Sequence, residues 1–306
     1  MEYRAFLDEM FGRISFSQEC REAVLAFEAQ MDEELQQYLT ATVTYYMYPE
    51  ACDINDVMKK LELMAEAKQL NVYRVVAAFL LRCLPILRER YAEAQLEEEL
   101  FWGICDDIRC KMAECKENQG AWGVVCGTWY GNMLGMRCFA LGRFEYILET
   151  YQGDGVYFPN GYILRKGDKY VGFHIPSSGV PLTDEVRLDS YRQAEKFFKQ
   201  YFPDGPVILS TDSWIIFPAQ YRFLPEKSNL RRFMDDFYIA TMREQEFKDA
   251  WRLFGASSQL PVEQWEEKTS MQRAYKKWVL DGHMTGRARG FIIMENGENV
   301  THTKKW

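Results

Sequence analysis

Histidine is scarce in this chain: the 306 residues hold three, His174, His283 and His302. Its eight cysteines form no C-x-x-C pair, and with so few histidines a zinc site is not expected. Cys105, Cys110 and Cys115 recur every five residues, which on a helix turns each thiol about 140° from the last and scatters them. With Cys20, Cys52, Cys83, Cys126 and Cys138 they read as reduced packing thiols. Also missing is any run of the ~18 uninterrupted apolar residues that a membrane span requires. The opening MEYRAFLDEMFGR lacks the basic-then-apolar order of an export leader. These absences lead to the expectation of a cytoplasmic protein with no metal and no membrane association.

What is present is apolar and unevenly charged. Apolar residues make up 47% and aromatics 15%, a composition that builds cores and excludes disorder. The net charge of −8 is confined to the first half, where acidic residues outnumber basic ones, while the second half is close to neutral. An acidic half excludes general nucleic-acid binding there. A near-neutral half suits a small anionic cofactor.

The first ~120 residues read as helices. Val24, Phe27, Met31, Leu35 and Leu39 recur at spacings of three and four within one amphipathic stripe. Asp53 or Asn55 can cap a second helix that repeats Val57, Leu61 and Met64. Residues 72–96 are apolar nearly all round, and Pro85 is expected to kink or end that helix. Leu100, Ile104, Ile108 and Met112 form a further stripe. The glycine-rich QGAWGVVCGTWYGNMLGMRC then interrupts helix formation and marks the junction.

Strands and turns follow. GYILRKGDKYVGFHI reads as a hairpin about its Lys-Gly-Asp-Lys turn. Next come a helix over 183–201, a strand in GPVILSTDSWIIFP, and helices in KSNLRRFMDDF, TMREQEFKDAWRLFG and SMQRAYKKWVLDG. ARGFIIME closes the chain as a strand. The fold class is therefore α+β in two domains, an all-α domain over 1–125 and a mixed-sheet domain over 126–306.

The segment YVGFHIPSSGVPLTDEV carries the most chemistry. Strand parity puts Val171, Phe173 and Ile175 on one face and Gly172 and His174 on the other. Pro176 ends ladder pairing. Ser177, Ser178 and Gly179 are small enough to let a ligand approach backbone N–H groups, and Thr183 can cap the next helix. That turn is either a capped connection or an anion cradle at a helix start. Asp184 and Glu185 already complement the helix dipole and would repel a phosphate.

In order along the chain, LGRFEYIL, FHIPSSGVPLTDE with SYRQAEKFF, STDSWIIFP with FLPEKSNLRRFMDDF, and SMQRAYKKWVLDGH resemble a bacterial family of acyltransferases. Its members join a helical N-terminal domain to a C-terminal domain similar to GNAT-type N-acyltransferases. The resemblance is strongest from about 95 to 290. It implies an acyl-CoA donor, acetyl-CoA or another, whose pantetheine arm pairs with the main chain of Phe173–Ile175. Ser177, Ser178 and Gly179 would wrap the diphosphate. The strand in VILSTDSWIIF would splay away to admit the thioester. Asn229 would lie near the pantetheine, and Arg231 or Arg232 near phosphates. The chain departs from the GNAT pattern in lacking a Gln/Arg-x-x-Gly-x-Gly/Ala string, in placing Asp212 where a histidine is common, and in having only Tyr238 near the position of the thiolate-protonating tyrosine.

Amine acylation needs a base, and His174 is the candidate by its ordinary pKa near neutrality. A hydrogen-bonded structural histidine is the competing reading. Asp212 either orients His174, binds a cationic amine, or caps a turn; Ser213 either donates to an oxyanion or packs. Arg287 and Arg289 share a strand face, as phosphate ligands or as a solvated strand edge. The expected function is acyl-CoA-dependent transfer to an amine acceptor. The alternative is a catalytically degenerate GNAT fold used for binding or regulation.

Overall fold

The computed structural model describes residues 3–48 and 53–302, so Cys52 lies outside the described residues. The chain divides into two compact units, Met1–Ala140 with Pro176–Ser178, and Leu141–Ile175 with Gly179–Trp306.

The first unit is helical: α1 (Tyr3–Arg13), α2 (Gln18–Gln30), α3 (Glu33–Met47), α4 (Ile54–Ala67), α5 (Val72–Glu93), α6 (Glu98–Gln119) and the short α7 (Tyr130–Leu134). The stripe from Val24 to Leu39 is buried throughout, but two helices share it. The break comes at Asp32, whose carboxylate accepts from Leu35 N–H and starts α3 afresh. Asp53 caps α4 as the sequence predicts. Pro85, in contrast, neither ends nor divides α5, which is continuous from Val72 to Glu93. Buried Leu81, Leu84 and Leu87 surround it and hold the helix together by packing. α5 is the central element, with α2, α3, α4 and α6 packed around it. The glycines of the junction bring the chain against these helices: a Cβ on Gly123 would lie 2.5 Å from the Tyr73 carbonyl carbon. No described helix is long and apolar enough to cross a membrane.

After β1 (Cys138–Leu141) the second unit is built on strands β2 (Phe144–Thr150), β3 (Val156–Tyr157), β4 (Ile163–Leu164), β5 (Lys169–His174), β6 (Val207–Ser213), β7 (Tyr238–Gln245), β8 (Thr285–Glu295) and β9 (Glu298–Asn299). Between them lie α8 (Asp184–Phe198), α9 (Asn229–Met234), α10 (Ala250–Phe254) and α11 (Ser270–Leu280). The strands run in the order β2-β5-β6-β8-β7, antiparallel except for the β5–β6 pair.

Three expectations are corrected here. The Lys166–Lys169 turn forms, with Gly167 at φ 94°, but β4 pairs with β3 and β5 pairs with β2, so the predicted hairpin is absent. Residues 241–245 are strand, not helix, because β8 supplies a ladder partner for each of them. The helix expected over 183–201 ends at Phe198, and a 3-10 turn over Lys199–Tyr201 leaves Tyr201 exposed.

The two sheet faces have different fillings. Phe173 packs on Phe144 and Tyr191, so α8 covers the face of Val171 and Phe173. On the opposite face Tyr170, Ile208, Phe291 and Ile293 pack with Val156 and Leu164 of the small β3–β4 sheet and with Phe158 just after β3. A third aromatic cluster around Trp214, Phe254, Trp265 and Tyr275 holds α10 and α11.

Candidate functional site

The β5–β6 ladder is short. Val171 pairs with Leu209 and Gly172 with Ser210, and there the parallel ladder ends. Both strands nevertheless continue. β5 runs on to His174, held by β2 through Tyr146↔Phe173 and Glu145↔His174. β6 runs on to Ser213, held by β8 through Thr211↔Gly290, Asp212↔Arg289 and Ser213↔Ala288. Each strand thus keeps its outer neighbour and loses its inner one. A parallel pair that opens in this way presents main-chain groups of both strands to whatever lies between them.

The sequence explains the opening from both sides. Beyond Ile175 comes Pro176, which has no N–H to give. Ser213 turns β6 into a 3-10 segment, its hydroxyl accepting from Ile215 N–H at 3.2 Å. Asp212 is drawn toward β8: Arg287 Nε donates to its carboxylate at 3.1 Å and Arg287 Nη2 to its carbonyl at 2.8 Å. Because the Val171↔Leu209 register places Leu209, Thr211 and Ser213 on the α8 face, Asp212 lies on the opposite face, shared with His174. No ladder pair joins these two residues.

Around the loop, Ser177 and Gly179 are exposed and Ser178 is half-buried, with Gly179 at φ +79°. A positive φ of this kind favours glycine and turns successive peptide N–H groups toward one side. Thr183 accepts from Val186 N–H at 3.4 Å and caps α8. Of the two acidic residues at the helix start, Asp184 is ion-paired. Its carboxylate is paired with Arg187 at 3.0 Å and Arg232 at 3.4 Å, so its charge is compensated.

Arg187 is the organising residue of that end. Its side chain is 3% exposed and donates to Asp236 at 2.8 and 3.3 Å, and to the carbonyls of Leu182 at 2.7 Å and Arg232 at 3.3 Å. Tyr191 adds a hydroxyl to Asp236 at 3.1 Å. Burial raises the Asp236 pKa, and Arg187 and Tyr191 offset part of that rise. Through this network α9 is fastened beside the start of α8. Asn229 accepts from Arg232 Nη2 at 2.6 Å, while Arg231 lies over the Tyr221 ring at 5.2 Å and donates to Leu224 at 3.3 Å.

Three more residues, marked by no sequence motif, stand at this end of the sheet. Glu145 is buried and directly opposite His174. Arg143, just before β2, donates to the Val180 carbonyl at 3.0 Å and puts a cation beside the loop. Arg187 was hidden in a helix whose pattern draws attention to its apolar positions. The solvated-edge reading of Arg287 and Arg289 is overturned, since β8 runs between β6 and β7.

Comparison with known proteins comes to the same architecture. The family described as GNAT-like C-terminal domain matches residues 138–292, and that described as N-acyltransferase N-terminal domain matches residues 5–136. No curated protein matches the chain significantly. An acyltransferase solved in complex with decanoyl-CoA and teicoplanin superposes with a TM-score of 0.72 at 18% identity, covering 96% of this chain and 88% of that one. The same values hold for an acyltransferase in complex with CoA and 10C-teicoplanin and for an acyltransferase mutant in complex with octanoyl-CoA. At that identity the likeness concerns the fold.

Proposed function

Because the chain belongs to the GNAT-like C-terminal domain family, we propose that it is a cytoplasmic N-acyltransferase that moves an acyl group from acyl-CoA to an amine. The observation that carries this reading is the β5–β6 ladder that ends at Gly172 and Ser210 while both strands run on. Phe173–Ile175 offers main-chain groups to the pantetheine arm. The amides of Ser177, Ser178 and Gly179 hold the diphosphate, with Asn229 and Arg231 at the neighbouring helix start. The acyl-CoA complexes of the similar structures, with decanoyl and octanoyl chains, support a donor longer than acetyl-CoA, and the teicoplanin complexes support an amine acceptor.

The chemistry requires a neutral amine to form the N–C bond with the thioester carbonyl while the C–S bond breaks and CoA leaves as its thiol. His174 receives the amine proton. Asp212, on the same sheet face and held by Arg287, helps to orient the site around His174. The Ser213 hydroxyl accepts from Ile215 N–H and therefore keeps its own proton to donate to the developing oxyanion.

Calorimetric titration with decanoyl-CoA tests donor binding, and thiol release in the presence of amines tests transfer. His174→Gln should bind decanoyl-CoA as the parent does and lose transfer by about 10²–10⁴-fold. Unchanged transfer in that variant removes the histidine from the mechanism, and no heat with millimolar decanoyl-CoA removes the donor.

A further inference from the structure

Three arginines share one face of two adjacent strands. Arg243 on β7 lies directly opposite Arg287 on β8, and Arg289 follows two residues along β8. Like charges placed opposite each other destabilise a sheet. β8 is flanked on both sides, so the protection that charges give to edge strands is not needed there. Asp212 and Asp249 answer the group, and Arg252 adds another guanidinium on Asp249 at 3.5 Å. Among the ion-paired residues of this group four arginines, Arg243, Arg252, Arg287 and Arg289, meet two carboxylates, Asp212 and Asp249.

Arg287 is fully used, on the Asp212 carboxylate and carbonyl and on Asp249 at 3.1 Å. The other two are not. Arg243 and Arg289 approach Asp212 Oδ2 to 3.7 and 3.9 Å, beyond hydrogen-bonding distance, with side chains 62% and 39% exposed. Both are held only by long ion pairs to one carboxylate that Arg287 already occupies, and departures of this kind from local rules cluster at functional sites.

We propose that Arg243 and Arg289 bind a carboxylate of the acyl acceptor, which makes the acceptor an amino-carboxylate, with amine and carboxylate on one molecule. This rests on the reading that the acyl donor enters between β5 and β6. The arginines stand on the sheet face opposite α8, whereas the donor diphosphate is held at the start of α8, so the cluster belongs to the acceptor side. His174 shares that face, which places the proton acceptor with the carboxylate-binding guanidiniums. A planar carboxylate suits the forks of two arginines, and Asp212 shows one already seated among them.

The test uses the full chain, with succinate as the carboxylate probe and succinamide as its neutral counterpart, followed through the arginine Nε–H signals by NMR. Succinate should shift Arg243 and Arg289 selectively, and succinamide should not. Arg243→Gln and Arg289→Gln should each weaken succinate binding by about tenfold, with decanoyl-CoA affinity unchanged. Equal succinate binding in the variants, or none in the parent, overturns the proposal. Tighter binding of inorganic phosphate than of succinate overturns the carboxylate assignment. A parallel fall in decanoyl-CoA affinity also overturns it, by moving the arginines to the donor. If the parent binds succinate at these residues but not decanoyl-CoA, the anion site stands and the donor reading falls. Thermal melts of Arg243→Gln, an exposed substitution, separate loss of binding from loss of fold.

Discussion

Arg187→Met should destabilise the second unit by about 3–5 kcal/mol, the range found when one partner of a buried ion pair is removed. The arginine is 3% exposed and makes two hydrogen bonds to Asp236, one to Asp184 and one each to the carbonyls of Leu182 and Arg232. Methionine fills much of the space and satisfies none of these groups. The largest single contribution is Asp236, which burial already pushes toward its neutral form and which would lose its main opposing cation. For a unit of this size the thermal midpoint should fall by roughly 6–20 °C. The pH dependence has a definite sign. A carboxyl whose pKa is raised in the folded state binds more protons there than in the unfolded chain, so its contribution is greatest below the unfolded pKa and is lost as pH rises through the folded one. The variant should therefore recover part of its deficit on acidification toward pH 5. Adding Asp236→Leu should restore a further part, because the uncompensated charge is then gone. Urea unfolding at pH 5 and pH 7 measures both effects. A loss below about 1 kcal/mol at pH 7, or a deficit that does not shrink in the double variant, would refute the assignment of Arg187 as the clasp between α8 and α9.

Burial pushes the Cys20 and Cys110 thiols up to about 12. In the unfolded chain they ionise near 8.5, so each should withdraw about 1.4 kcal/mol of stability per pH unit above that value. A Cys20→Ala/Cys110→Ala protein should therefore close roughly 4 kcal/mol of its stability deficit between pH 8 and pH 10, read from urea unfolding, and an unchanged deficit would contradict the burial argument. Gly123→Ala should cost about 1–3 kcal/mol, because its Cβ would meet the Tyr73 backbone at 2.5 Å; a neutral result would show that this junction yields. Ser213→Ala removes the acceptor for Ile215 N–H and should lower stability by about 1 kcal/mol, with transfer falling further if the hydroxyl serves the oxyanion.

Where a pattern is local, the sequence was readable. The stripe from Leu100 to Met112, the caps at Asp53 and Thr183, and the strand in VILSTDS all form as their spacing and chemistry dictate. The failures are non-local. Residues 241–245 are rich in helix formers and half-buried or exposed, so nothing in them declares a strand; β8, which begins forty residues after Gln245, decides it. The turn at Gly167 was legible from its residues, but a turn does not say which strands will pair, and β2 captures β5. The same limit applies to the candidate site. His174, the Ser-Ser-Gly loop and Asp212 stand out by residue type. The arginines that surround Asp212, at 243, 287 and 289, meet it only through sheet order. Arg187 is likewise invisible until Asp236 is brought to it.

A crystal structure of the protein grown with a non-hydrolysable decanoyl-CoA thioether would probe the parted strands directly. Density for the pantetheine arm should run between 173–175 and 211–213, with the diphosphate against residues 177–179. Density for the ligand elsewhere, with the ladder closed by new pairs beyond Gly172 and Ser210, would contradict the account.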